Sequence, residues 1–251
     1  MRKSKLLTTF ALCLLATALG ASVALAAAGG SGRGNGGGRG RGGGGAAAGP
    51  RAAALTLTAP ATPATRPDDE GFLRRWVLLE PIPAQGVSES AFHKVATKEY
   101  FPKEFSTVPR DGEKVTVDGT ELTWHAYDST RYNVNLYHFS YALSKPTNGV
   151  FWLAVTVINC PEEMKNVRLA VGSNDASVWW VNGEELLGLY DNRMDTFDDG
   201  VSKRITLKKG PNVIRAAICN EMGPSDFCAR ILDENDKPVR GITLSLGDAT
   251  K

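Results

Sequence analysis

The sequence predicts an all-β protein, an antiparallel β-sandwich with one short helix, preceded by a disordered tether. The second half of the chain alternates short, apolar, β-branched segments with turn residues, and no long segment there has helical periodicity. One segment, "SVWWVNGEELLGLY", has the strand, Asn-Gly turn and strand pattern of a β-hairpin. The first 67 residues instead combine an apolar leader with sequence rich in Gly, Pro and Thr.

The N-terminal residues 1–26 are typical of a signal peptide. Three basic residues precede an apolar run from Leu6 to Ala18, and a small-x-small cleavage pattern ends at Ala26. The run is shorter than the roughly 20 residues that a membrane span needs, although an uncleaved signal anchor is the alternative. We therefore expect cleavage near Ala26, export to the periplasm or the cell exterior, and no membrane span in the mature chain.

Residues 27–67 predict a linker. Their first part is dominated by Gly with scattered Arg, which behaves as flexible coil, and their last part is a stiffer Pro- and Thr-rich tract. Arg-Gly spacing also occurs in RNA-binding segments, but in an exported chain we interpret it as a tether.

The charge distribution separates this tether from a module at 68–251. Eight of the 29 basic residues and none of the 27 acidic residues precede Asp68, so the module carries 21 basic and 27 acidic residues. A module with net negative charge lacks the basic surface that nucleic-acid binding requires, so we expect no nucleic-acid partner.

The segments of the module predict its elements in order. "GFLRRWVLLEPI" alternates as a strand, and "SESAFHKVATKEYF" is the helix candidate, with Ser88 or Ser90 as its N-cap. "EKVTVDGTELTWHAYD" predicts a hairpin, and "GVFWLAVTVINC" predicts a strand buried on both faces. "NVRLAVGS", the Asn-Gly hairpin, two strands around "KKGPN" and two in "FCARILDENDKPVRGITLSL" complete the sandwich.

Several of these segments resemble a known family. "GSNDASVWWVNGEELLG" followed by "ITLKKGPNVIRAAICN" resembles the galactose-binding-like jelly roll of sugar-binding domains in bacterial β-galactosidases. With "GFLRRWVLLEPI", "ELTWHAYDS" and "CARILDENDKPV", most of 68–251 is similar to the non-catalytic accessory module of bacterial acetylxylan esterases. The resemblance implies a module that binds plant cell-wall carbohydrate, such as xylan, in support of an esterase or glycosidase domain.

Two tryptophans stand side by side in this pattern. Adjacent strand residues point to opposite faces, so Trp179 and Trp180 cannot form one sugar-binding platform. The resemblance places Trp179 in the core and leaves Trp180 either covered by the N-terminal segment, which we favour, or open to a sugar. A sugar needs an aromatic face beside polar groups, so the candidate carbohydrate-binding residues are Trp180, Tyr190, Arg193 and Asp199.

The acidic segment "YDNRMDTFDDG" leaves several interpretations open. Asp191 and Asp195 are candidate ligands of a structural Ca²⁺, because calcium binds clustered carboxylates. The same segment also fits a solvated loop, which we favour, or a sugar contact.

The cysteines suggest one disulfide bond. Cys219 and Cys228 flank a loop with Gly and Pro and are candidates to close it. Cys160, at the end of an apolar strand, is then expected to be a buried thiol.

No catalytic residue is predicted, because the sequence has no G-x-S-x-G, no HExxH and no paired C-x-x-C pattern. Three functions stay open at this point. The favoured one is a carbohydrate-binding accessory module. The alternatives are a structural or interaction domain that packs on a hydrolase without its own ligand, and an esterase in its own right.

Overall fold

A computed structural model describes residues 57–246, which form fifteen strands and two short helices, and it confirms the antiparallel β-sandwich. The strands are β1 Ala64–Thr65, β2 Arg75–Leu79, β3 Ile82–Pro83, β4 Lys114–Val117, β5 Thr120–Asp128, β6 Val134–Asn135, β7 Val150–Cys160, β8 Met164–Ser173, β9 Ser177–Val181, β10 Glu184–Leu189, β11 Gly200–Val201, β12 Ile205–Leu207, β13 Gly210–Asn220, β14 Asp226–Leu232 and β15 Thr243–Ser245. The helices are α1 Glu89–Ala96 and α2 Leu136–Ala142. The predicted signal peptide and most of the predicted linker lie outside the described residues.

The described strands form two antiparallel sheets. The larger sheet has the order β10-β9-β13-β7-β2-β5-β4, with β3 and β15 also paired to β7 and β1 paired to β15. The smaller sheet has the order β11-β8-β14-β6, with β12 paired to β8. The longest pairing joins β13 to β7 from Gly210 opposite Cys160 to Asn220 opposite Val150. The two apolar segments predicted as strands thus form the centre of the larger sheet.

The main core lies between the two sheets. Trp76 from β2 and Trp179 from β9 meet Phe227 from β14, with ring centroids 5.0 and 5.8 Å from the phenylalanine ring. Trp179 is fully buried, so its predicted core position is confirmed. Aromatic rings at this spacing and near-perpendicular tilt contribute about 0.5–1.5 kcal/mol per pair beyond the area they bury.

A second core covers the opposite face of the larger sheet. Phe92 and Ala96 of α1 pack there against Trp180, together with apolar side chains of the segment 98–109. Alternate residues of β7 therefore enter different cores, because Trp152 joins the first and Phe151 joins the second. This explains why the β7 sequence is apolar throughout, as predicted for a strand buried on both faces.

Helix α1 forms where the sequence predicts one, and Ser88 is its N-cap residue. Helix α2 is an addition to the predicted fold. The Asn135 side chain accepts a hydrogen bond from the His138 amide at 2.7 Å, and Leu136 and Phe139 are buried at helical spacing. Its seven residues make only about two turns, too short for periodicity to show in the sequence. Among the described residues, no helix is long and apolar enough to cross a bilayer.

The end of the predicted linker differs from the expectation, because residues 57–67 pack on the sandwich. The Asp128 amide donates to Thr58 O at 2.9 Å, and β1 pairs with β15. Arg75 is only 1% exposed, and its guanidinium donates to Thr62 O at 2.7 Å. A buried guanidinium needs acceptors, and this segment supplies one of them.

The predicted disulfide between Cys219 and Cys228 is wrong. Both are free, buried thiols, and they lie on β13 of the larger sheet and β14 of the smaller sheet. Burial raises the pKa of Cys219 to about 12 and also raises the pKa of Cys228. Cys160 is a buried free thiol, as predicted. The loop between β13 and β14 crosses from one sheet to the other, so flanking it does not bring two side chains together.

Candidate functional site

A surface groove of about 840 Å³ lies between α1 and β10. Carboxylate, imidazole, ammonium, hydroxyl and phenol groups line it, and they belong to Glu89, Glu185, His93, Lys94, Ser88 and Tyr190. The groove thus contains one aromatic ring and, around it, several polar groups that can form hydrogen bonds with hydroxyls.

The β9–β10 hairpin positions one wall of this groove. Asn182 and Gly183 both have positive φ, at 52° and 84°, which a tight two-residue hairpin turn requires. Glu185 then lies opposite Trp180 across the strand pair, so both side chains occupy the same face. Helix α1 packs on that face through Phe92, which leaves His93 and Lys94 at the groove.

The ring of Tyr190 lies directly over Gly188. A Cβ atom added to Gly188 would come within 2.3 Å of the Tyr190 hydroxyl oxygen and 2.5 Å of its Cζ. Only glycine admits such a close approach. The Asp191 amide donates to Val87 O at 2.8 Å and holds the end of β10 against the segment before α1. The phenol ring therefore packs over Gly188, and the backbone next to it is held at the groove.

A hydrogen bond joins the two walls of the groove. His93 Nε2 lies 3.0 and 3.1 Å from the two carboxylate oxygens of Glu185. Burial raises the pKa of the Tyr190 phenol, and the Glu185 and Glu89 carboxylates raise it further. The phenol accordingly stays protonated at neutral pH and keeps its hydrogen-bond donor.

Three of the four predicted carbohydrate-binding residues come together. Tyr190 lines the groove, and Arg193 donates to Tyr190 O at 3.3 Å. Arg193 Nε also donates to Asp199 at 3.0 Å, so this ion pair supports the end of β10 from outside the groove lining. Trp180 is only 4% exposed, with its ring 5.6 Å from that of Phe105. The favoured expectation for Trp180 holds, and its covered ring cannot contact a ligand.

The candidate metal ligands do not meet. Asp191 is exposed where β10 ends, whereas Asp195 accepts weak hydrogen bonds from Cys228 Sγ and Asn133 Nδ2, each at 3.5 Å. Within residues 57–246, no group of three or more His, Cys, Asp or Glu side chains is placed to hold a metal ion. These residues therefore do not fit the predicted calcium site.

Most of the groove cannot be recognised in the sequence. His93 and Glu185 are 92 residues apart, and no sequence pattern pairs them. In the sequence, Ser88 is recognisable only as a helix cap, and the charged residues of α1 are the one signal of a polar surface there.

Comparisons with known proteins give little further information. No protein-family model matches the chain. No curated protein matches it. Among solved structures, a chain described as a PA14 sugar-binding domain from an RTX adhesin is similar with 12% identity and a TM-score of 0.39. That match covers 70% of this chain and 100% of the other. A likeness at this identity and TM-score establishes neither a shared family nor a shared ligand.

Proposed function

We propose that this protein binds carbohydrate in the groove between α1 and β10. The observation that supports this most is the Tyr190 ring, packed over Gly188 beside carboxylate, imidazole and hydroxyl groups. A sugar presents a C–H face, which packs on an aromatic ring, and hydroxyls, which pair with polar groups around it. The groove supplies both kinds of contact within one surface.

We extend the proposal to an exported accessory module. The signal-peptide pattern in 1–26 supports export to the periplasm or cell exterior. The resemblance of several segments to the accessory module of acetylxylan esterases supports a xylan-like plant polysaccharide as ligand and an esterase or glycosidase domain as partner.

Affinity electrophoresis of the full chain on xylan and other plant glycans tests the proposal. Tyr190→Ala removes the ring, and Gly188→Ala displaces it without deleting it, so both should weaken binding about tenfold or more. Tyr141→Ala is the matched control, because Tyr141 is 61% exposed on α2 and does not line the groove.

Two results would reject the proposal. One is unretarded migration of the wild-type chain on every glycan tried. The other is a Tyr190→Ala variant that is retarded as strongly as Tyr141→Ala. Tyr190→Phe separates the ring from its hydroxyl, since stacking alone predicts that this variant keeps most of the affinity.

Ester hydrolysis in the same groove is a second candidate function. The observation that favours it is the His93–Glu185 pair, with Ser88 and Ser90 lining the same groove. A serine hydrolase needs its histidine within hydrogen-bond reach of the serine. In the described chain His93 bonds Glu185 and no serine, so this function ranks second. A chromogenic acetyl ester decides it, since hydrolysis that is lost in His93→Ala would replace the binding proposal.

A further inference from the structure

A second cavity, of about 320 Å³, shares no lining residue with the groove. It lies where the chain around β1 meets the end of β5, and its lining residues are Thr65, Arg66, Arg74, Asp128, Ser129 and Thr130. The guanidinium groups of Arg66 and Arg74 thus border one small cavity.

The carboxylate in this cavity is already neutralised by another residue. Arg75 Nε and Nη2 donate to the two oxygens of Asp128 at 2.8 and 2.7 Å. This is a bidentate pair with a guanidinium that is only 1% exposed. Asp128 is therefore unavailable to neutralise the charges of Arg66 and Arg74.

Arg74 lacks a hydrogen-bond acceptor for a buried nitrogen. Its Nε has no partner among the described residues, and the nearest carboxylate oxygen, Asp68 Oδ2, lies 3.9 Å away. That distance exceeds hydrogen-bond length. The other Asp68 oxygen already accepts from the Phe72 amide at 2.8 Å. Nε itself is closed to a ligand, but the Arg74 side chain as a whole is 35% exposed. Its two Nη nitrogens make no hydrogen bond within residues 57–246, so they can donate to an oxygen in the cavity.

Arg66 is equally available. Its side chain is exposed at the cavity and makes no hydrogen bond or ion pair within residues 57–246. The Ser129 amide donates to Arg74 O at 2.8 Å, which fixes the Arg74 backbone to the opposite wall. Around the cavity there are thus three guanidinium groups and two carboxylates, and the excess charge is positive. The guanidinium groups belong to Arg66, Arg74 and Arg75, and the carboxylates to Asp68 and Asp128.

We propose that this cavity binds an oxyanion, the carboxylate or phosphate group of a small ligand, between Arg66 and Arg74. The planar guanidinium presents its N–H donors as a fork that matches such a group. The ligand oxygen accepts from donors that have no acceptor within the described chain.

Calorimetric titration of the full chain at low ionic strength tests this site. The probes are glucuronate and inorganic phosphate, with methyl glucoside as the uncharged comparison. We expect at least one anion to bind, with an affinity that falls as salt is added, and no binding of the glucoside at this site. Binding of phosphate alone identifies a phosphate site, whereas binding of glucuronate identifies a carboxylate site.

Two variants locate the binding. Arg66→Gln and Arg74→Gln should each weaken anion binding roughly ten- to hundredfold, as expected for loss of a hydrogen bond to a charged group. Arg66→Gln breaks no hydrogen bond or ion pair within residues 57–246, so it keeps the proposal testable if Arg74→Gln fails to fold. Arg240→Gln is the matched control, because Arg240 is exposed and lies outside the lining of this cavity.

Either of two results overturns the site. The first is that neither anion binds the wild-type chain. The second is that Arg66→Gln binds the anions as tightly as Arg240→Gln does. Tyr190→Ala should leave anion binding unchanged, so failure of the glycan-binding groove and failure of this site are separate outcomes.

Discussion

Replacing Glu104 by Gln should remove much of the pH dependence of stability between about pH 4.5 and pH 7. Glu104 is 0% exposed in the segment 98–109, which packs over Trp180. Burial raises the pKa of its carboxyl group to about 7, although a hydrogen bond from the Tyr100 amide and the charge of Arg215 both oppose that rise. The neutral amide of Gln resembles the protonated acid that the folded protein favours.

The sign of the effect follows from the two states. The folded protein holds the Glu104 proton more tightly than the unfolded chain, whose ordinary pKa is 4.5. Stability therefore falls as pH rises through this interval, and the loss is complete above pH 7. One pKa unit corresponds to about 1.4 kcal/mol, so the rise from 4.5 to about 7 corresponds to about 3 kcal/mol.

Urea unfolding followed by circular dichroism, at pH 5 and pH 8, measures this difference. In the wild type, Glu104 should lower the free energy of unfolding at pH 8 relative to pH 5 by about 2–3 kcal/mol, because pH 5 already lies above the ordinary pKa of 4.5. Glu104→Gln should lack this contribution. Arg215 keeps its bond to Thr107 O at 2.7 Å in the variant. Burial also raises the pKa of Asp226, to about 6, so a smaller dependence of the same sign remains.

The matched control is Glu163→Gln, because Glu163 is exposed. If Glu104→Gln keeps the same pH dependence as Glu163→Gln, the carboxyl group of Glu104 is not held neutral by burial. A wild type that gains stability from pH 5 to pH 8 would contradict the sign.

Three other predictions concern packing. Trp180→Ala should lower the free energy of unfolding by about 3–5 kcal/mol, because the ring is buried against Phe105. A variant that loses glycan affinity but keeps its stability would contradict a role in the core. Gly172→Ala should destabilise the protein by about 1–3 kcal/mol, since the new Cβ would lie 2.1 Å from Thr196 O; an unchanged urea midpoint would contradict this loop packing. The three described cysteines should react with a thiol reagent only after unfolding, so rapid reaction of two or more in the native state would refute their burial.

The sequence predicts where the strands and turns of this fold lie better than it predicts which strands belong to the same sheet. Asn182 and Gly183 specify a hairpin because few residues adopt the positive φ that its turn requires. The spacing of Cys219 and Cys228 also favours a local contact, namely a disulfide bond. The connection between their strands, however, crosses from one sheet to the other. Turn chemistry is local and can be recognised in a few residues, whereas the assignment of strands to sheets depends on the whole chain.

The candidate sites show the same limit. Tyr190 is recognisable as an aromatic residue at a strand end, but its position over Gly188 depends on the path of the chain after β10. The His93–Glu185 pair joins a helix to a hairpin that comes much later in the sequence. The sequence predicts that Arg66 lies in the linker, because nothing in it indicates that Arg75 is buried and bonds Thr62 O of the same segment.

Burial on both faces of the larger sheet has a consequence for spectroscopy. All five tryptophans of the chain are buried, and the most exposed of them, Trp180, shows only 4% of its surface. A ligand at the surface therefore cannot touch an indole, and aqueous quenchers such as iodide should leave the native emission almost unchanged. Any change in tryptophan emission on adding a glycan would report a rearrangement of the interior, whereas direct contact would appear in the ultraviolet difference spectrum of tyrosine.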